Sequence, residues 1–379
     1  MSLLERDLPW LLAEAHNDPD VAQQIVETLA GRIQELQRQT DELRAENTLL
    51  KRTGGQQAST EQLNRLKTTL HDLHQLVTRA GLNRDVVTVL DFSGMGLHLP
   101  TPAPMEQTLR LLSAPDDPIS MHKPLYLAHG SWLHTLLAIT SGLRMLLVNG
   151  LAVPISEHLD WRDAHTISGL GLSRAERVEA VLPLDELHPP HDVLIVSRQG
   201  WVRSISWSHV EMLAYSGQSI TLPNAGDSPV WLGESDTDAD LLILTRNGRW
   251  TRFPMNVVPA RGCAGITLDS NDDVVSAVVV DKTTAAVWFI GADGTTFVLS
   301  AMGLEAHKKA AGKAVPLTRR FVGLTCYRVQ SHKARMALLL SNEGDLHVLS
   351  THGLPIAAKP SEVQPLKVSN ERLIAATPI

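Results

Sequence analysis

Asp240-Leu-Leu-Ile-Leu-Thr-Arg-Asn-Gly-Arg-Trp-Thr-Arg-Phe-Pro254 holds an apolar run, a polar turn centred on Asn247-Gly248, and a second run. Asn-Gly supplies the positive φ that a tight hairpin needs, and runs of this length bounded by such turns are short strands. The same unit returns in Asp192-Val-Leu-Ile-Val-Ser-Arg-Gln-Gly-Trp-Val-Arg-Ser204. Weaker copies are Ala286-Val-Trp-Phe-Ile-Gly-Ala-Asp-Gly-Thr-Thr-Phe-Val298 and Met336-Ala-Leu-Leu-Leu-Ser-Asn-Glu-Gly-Asp-Leu-His-Val348, with more degenerate ones around Gly94 and Gly142. Taking Gly94, Gly142, Gly200, Gly248, Gly294 and Gly344 as the turn glycines, the spacings are 48, 58, 48, 46 and 50 residues. Six copies near a blade-length period predict a radial all-β array over residues 84–379, the first two copies being the least regular.

Residues 1–83 have a different grammar. Residues 1–16 read as a short arm or helix and residues 17–83 as two helices broken near 53–59, where Gly54-Gly55 interrupts the pattern. From Ile33 a heptad is legible, with Ile33, Thr40 and Asn47 at a and Leu36, Leu43 and Leu50 at d. Leucine at d with a single Asn at a favours a parallel two-stranded coil, because the paired amides satisfy each other only in register. Ile33, Leu36, Leu43, Asn47 and Leu50 are therefore the expected self-association residues. An intramolecular hairpin of the two helices is the competing arrangement.

The chain has 379 residues and formal charge −7, and its 43% hydrophobic, 20% charged composition excludes a fully disordered or collagen-like chain. Two cysteines, Cys263 and Cys326, are too few for a disulfide scaffold or a multi-thiolate zinc site and fit a reducing compartment. No secretory signal or membrane span is legible, so a cytoplasmic location is expected, nucleoid-associated if the chain binds DNA. No cofactor motif is complete: Gly94-Met-Gly96 and Gly169-Leu-Gly171 lack the third glycine of a dinucleotide fingerprint, and Gly312-Lys313 lacks phosphate-loop spacing. His188-Pro-Pro-His191 reads as a surface turn rather than a metal site. Cys263 beside Arg261 has either a lowered pKa or, on the plainer reading, the role of a small buried turn residue.

The run from Asp240 to Asp281, which continues through Arg261-Gly-Cys-Ala-Gly-Ile-Thr-Leu-Asp269, resembles a blade of the C-terminal domain of the bacterial gyrase A subunit and its topoisomerase IV relatives. The resemblance extends over roughly residues 84–379. It implies a six-bladed β-pinwheel, a propeller whose blades exchange a strand with their neighbours and whose basic outer rim bends DNA. It does not imply strand passage. The family's catalytic tyrosine lies in a separate module, whereas Tyr126, Tyr215 and Tyr327 all fall within the repeats, so a non-enzymatic chain is expected. The family's wrapping box, Gln-Arg-Arg-Gly-Gly-Lys-Gly, has its nearest counterpart in Pro259-Ala-Arg-Gly-Cys-Ala-Gly265, which keeps Arg261, Gly262 and Gly265 only.

Partitioning the charge gives −3 over residues 1–83, −9 over 84–239 and +5 over 240–379. The basic part supplies the expected contacts to double-stranded DNA on blades 4–6: Arg249, Arg252, Arg261, Lys308, Lys309, Lys313, Arg319, Arg320, Lys333 and Arg335. Lysines and arginines spaced along a convex rim neutralise phosphates and release counterions with little sequence readout. Trp201 and Trp250, which follow turn glycines, read as inter-blade packing rather than base-stacking platforms. A protein-interaction scaffold built on the coiled coil and the acidic early blades, without DNA contact, is the alternative.

Overall fold

The computed structural model describes residues 85–100, 109–110, 125–132, 134–156, 161, 164–167, 170–184, 192–318, 320–330 and 335–379, with Gly31, Glu35, Leu36, Arg38 and Gln39 of a helical segment. Leu36 is buried at 3% exposure, and Glu35 pairs with Arg38 at 2.8 Å. The other expected coiled-coil positions, Ile33, Leu43, Asn47 and Leu50, lie outside the described residues, as do the arm at 1–16, the break at 53–59 and the turn at His188–His191.

Six antiparallel hairpins recur: Asp85–Asp91 with Met95–Pro100, Thr135–Thr140 with Met145–Asn149, Asp192–Ser197 with Trp201–Ser206, Asp240–Thr245 with Arg249–Pro254, Thr284–Gly291 with Thr295–Ser300, and Met336–Ser341 with Asp345–Ser350. Each hairpin gains an inner strand from its own repeat; in the fourth blade this is Val274–Val280. The six inner strands touch one another in cyclic order, so they line the axis of a closed six-bladed propeller.

The apolar runs are buried on both faces because each sheet lies between two others. In Asp240–Thr245, Leu241 and Ile243 pack with Leu194, Val196 and Val202 of the third blade. Their alternates Leu242 and Leu244 pack with Val287, Phe289 and Phe297 of the fifth. Side chains alternate across a strand with period two, so one run serves two interfaces. All four side chains are 0% exposed, and each such burial stabilises by roughly 1.5–3 kcal/mol. Comparable clusters join the remaining neighbouring pairs, including the sixth blade to the first through Leu338, Leu340 and Leu346 against Val87, Val89 and Leu97.

The turns show why glycine recurs. Gly94, Gly200, Gly248, Gly294 and Gly344 all have positive φ, and each amide bonds back to the carbonyl three residues earlier. At Gly248 there is also no room: an added Cβ would lie 2.4 Å from the Phe321 carbonyl oxygen. The second repeat departs from the expected pattern. Its positive φ falls on Leu143 (61°), not on Gly142: Leu143 N–H donates to Thr140 O, and Thr140 N–H donates across the turn to Arg144 O. The turn position is therefore Leu143, one residue beyond the glycine that the spacing selects.

The outer edge of each blade is closed by a segment of the following repeat. Cys263–Ala264 pairs with the third hairpin, Val315–Pro316 with the fourth and Leu366–Lys367 with the fifth. His165–Thr166 closes the first blade, and Leu109–Arg110 closes the ring by pairing with Asp345–Ser350 of the sixth. Among the described residues the second blade receives in its place the single bridge Arg144↔Ser219. There the helix Trp207–Ser216 packs beside Met145–Asn149, burying Val210 and Leu213 against Met145 and Ile139. A helix laid along an otherwise open edge removes a template for strand pairing with other chains.

Candidate nucleic-acid interface

Strand exchange moves two of the basic residues by one blade relative to their repeats. Arg261 of the fourth repeat sits in the turn that feeds Cys263–Ala264 onto the third blade, and Lys313 of the fifth precedes Val315–Pro316 on the fourth. These two segments run side by side: Ile266↔Gly312 and Thr267↔Lys313 are parallel partners, Ala311 N–H donates to Gly265 O at 3.1 Å, and Thr267 Oγ1 donates to Ala311 O at 3.1 Å. Arg261, Lys308, Lys309 and Lys313 are all exposed along this outer seam. Arg261 thus lies at the edge of the third blade and Lys313 at that of the fourth, each one blade before the repeat it belongs to, while Arg249 and Arg252 stay on the fourth hairpin.

The seam is held from beneath. Arg252 Nε donates to Asp240 Oδ2 at 2.8 Å, and its Nη1 donates to Ala301 O at 2.7 Å and Leu304 O at 3.1 Å. The Arg252 carbonyl accepts His307 N–H at 2.7 Å. Its side chain is only 17% exposed, so Arg252 anchors the loop that presents Lys308 and Lys309. Arg249 pairs with Asp269 at 2.8 Å on the seam and is 31% exposed.

The remaining expected residues are dispersed. Arg320 is exposed, with a positive φ of 66°. Arg335 Nη1 donates to Arg328 O at 2.8 Å, and Arg328 pairs with Asp281 at 2.7 Å. Arg328, Arg335 and Asp281 line the central channel, a space of about 630 Å³ among the inner strands, and are thus separate from the outer seam. Arg319 and Lys333 lie outside the described residues. Lys359 and Lys367, not singled out in the sequence, are exposed on the segments of the sixth repeat that run along the fifth blade.

Trp250 is buried at 5% exposure. Trp201 is half-buried, with its indole over Gly262, where an added Cβ would meet Nε1 at 2.5 Å. Neither is a free stacking platform. Burial raises the Cys263 thiol above its ordinary value, which decides against an activated cysteine. Cys326 is pushed up to about 12 by complete burial. Among the described residues there is no cluster of three or more metal-ligating side chains, and no helix is long and apolar enough to cross a membrane.

Two solved structures share this architecture. The C-terminal domain of DNA topoisomerase IV superposes with a TM-score of 0.51 at 15% identity, covering 78% of this chain and 94% of that one. The DNA gyrase A C-terminal domain superposes with a TM-score of 0.59 at 14% identity, covering 78% of this chain and 99% of that one. No family model matches the sequence, and no curated protein matches it. At these identities the likeness carries the fold, a six-bladed pinwheel.

Proposed function

We propose that residues 84–379 form a non-catalytic module that binds double-stranded DNA along the outer edge of blades three to five, and that residues 17–83 assemble copies of it. The observation that carries this reading is the seam on which Arg261, Lys308, Lys309 and Lys313 are brought together, exposed, on the convex rim. Side chains placed this way neutralise phosphates as point charges, giving affinity through counterion release and little base discrimination. The likeness to the C-terminal domains of gyrase A and topoisomerase IV supports the reading at the level of fold. The proposed contacts are Arg261, Lys308, Lys309 and Lys313, with Arg249 and Arg320 flanking and Arg319 and Lys333 as outlying candidates. Arg252 and Arg335 have roles within the protein.

Self-association through Ile33, Leu36, Leu43, Asn47 and Leu50 would double the phosphate contacts of one assembly. Gel shifts with a random-sequence duplex at low salt test the DNA reading. Binding by the natural chain, lost when Arg261, Lys308, Lys309 and Lys313 are changed to Glu, is expected. Unchanged binding by that variant removes the contact from this seam, and no binding by the natural chain favours a protein-interaction scaffold.

A further inference from the structure

Met302 is 93% exposed, more than any other large apolar side chain among the described residues. It is not on a loose tip. It lies in the 3-10 turn Ala301–Gly303 at the end of the outer hairpin strand of the fifth blade. Its neighbours Ala301 and Leu304 are buried at 7% and 1%. The Ser300 hydroxyl accepts Met302 N–H at 3.3 Å, and Arg252 grips the carbonyls on either side, Ala301 O and Leu304 O. Gly303 is wedged under the sixth repeat, where an added Cβ would meet Ala358 O at 1.9 Å and Lys359 Cα at 3.5 Å. A flexible thioether is thus held out into water on a rigid base.

The surroundings point to the occupant. The loop that leaves this turn carries Lys308 and Lys309, and the segments on the outer side of the same strand carry exposed Lys359 and Lys367, against exposed Glu305 and Glu362. Ile356, 58% exposed, and Leu366, 49% exposed, share that edge. The apolar point is continuous with the basic seam, which a polyanion complements. An apolar side chain fixed on a phosphate-binding surface can enter a base step from the minor groove, unstack it and kink the duplex, provided its base does not yield.

We infer that Met302 is an apolar wedge that inserts between base pairs of the bound duplex and bends it. The inference rests on the DNA-binding reading above and adds to it a residue that deforms the DNA. The test uses the full chain with a short duplex carrying donor and acceptor dyes at its ends and 2-aminopurine within, comparing the natural protein with Met302→Ala and Met302→Leu. Because Met302 is almost wholly exposed, both variants keep the fold, which circular dichroism verifies. The natural chain and Met302→Leu raise both energy transfer and 2-aminopurine fluorescence. Met302→Ala binds with an undiminished salt slope but leaves both signals near those of free DNA. Bending and unstacking by Met302→Ala equal to the natural chain's overturns the wedge and assigns the apolar edge to a protein surface. Binding by the natural chain without unstacking overturns it as well. Failure of the natural chain to bind at all overturns the underlying DNA reading instead.

Discussion

Arg252 reaches diagonally across the fourth hairpin to Asp240, with Nε 2.8 Å from Oδ2, and the same guanidinium reaches two carbonyls of the neighbouring blade. One side chain thereby joins two blades and fixes the lysine-bearing loop. Replacing Arg252 by Met leaves Asp240 and both carbonyls without these donors. This should cost about 2–4 kcal/mol in urea unfolding. Arg252→Lys keeps the charge but not the fork and should recover less than half of the loss. A phosphate-contacting Arg252 would instead leave stability unchanged in both variants.

A second device recurs at the entry to the inner strands. Asp272, two residues before Val274, accepts the Thr245 hydroxyl at 2.6 Å and the amides of Asn247 and Asp273 at 3.0 Å. Asp227 likewise accepts the amides of Gln199 and Ser228. In the second blade Glu176 takes the Thr140 hydroxyl and a two-pronged Arg144. These carboxylates latch the inner strand to the hairpin turn. Asp272→Ala should lower stability by about 2–4 kcal/mol, and Asp272→Asn by less, since the amide oxygen still accepts one set of donors. Chemical denaturation checks both.

Gly248→Ala should be among the costliest single changes in the chain. It combines the strain of a non-glycine residue at a φ of 67° with a 2.4 Å approach to the Phe321 carbonyl oxygen. A loss of more than about 2 kcal/mol is expected. Gly217→Ala, at a φ of 64° but with open space around it, should cost only about 1 kcal/mol. Paired thermal melts of the two variants separate the steric from the conformational contribution.

Acid should weaken the junction of the first two blades. His98 and His134 are both buried, with ring centroids 6.1 Å apart, and desolvation lowers each to about 4. The unfolded chain takes up these protons from about 6.5 downward and the folded chain does not. Stability is therefore full above pH 6.5 and falls as the pH drops toward 4, by a few kcal/mol on an order-of-magnitude scale. Glu176, held down to about 2 chiefly by Arg144, adds a second loss as the pH falls from 4.5 toward 2. Urea midpoints across pH 4–7 test the histidine effect, and His134→Phe should flatten the slope.

The hairpins were legible in the sequence because glycine at positive φ and apolar runs buried on both faces leave strong local marks. The exchanged strands were not. Cys263–Ala264 and Val315–Pro316 are two residues long, too short for any periodicity, and only the three-dimensional pairing assigns them to the preceding blade. This is why Arg261 and Lys313 lie one blade earlier than their repeats. It is also why Lys359 and Lys367, isolated in the chain, were missed. Leu143 shows the limit at the turns: Gly142 draws the eye, but the hydrogen bonds put the left-handed residue after it. Arg252 looked like one more rim charge because a sequence does not show that a guanidinium is already committed to a carboxylate and two carbonyls.

The most direct test of the DNA-binding claim is the slope of log affinity against log salt for the full chain on a random-sequence duplex. Each phosphate contact contributes about −0.9 to that slope. Lys308, Lys309 and Lys313 changed together to Gln should flatten it by about 2–3 while leaving the unfolding midpoint unchanged. A slope that the triple change does not alter, or affinity that is indifferent to salt, would contradict the assignment of DNA binding to the seam between the third and fourth blades.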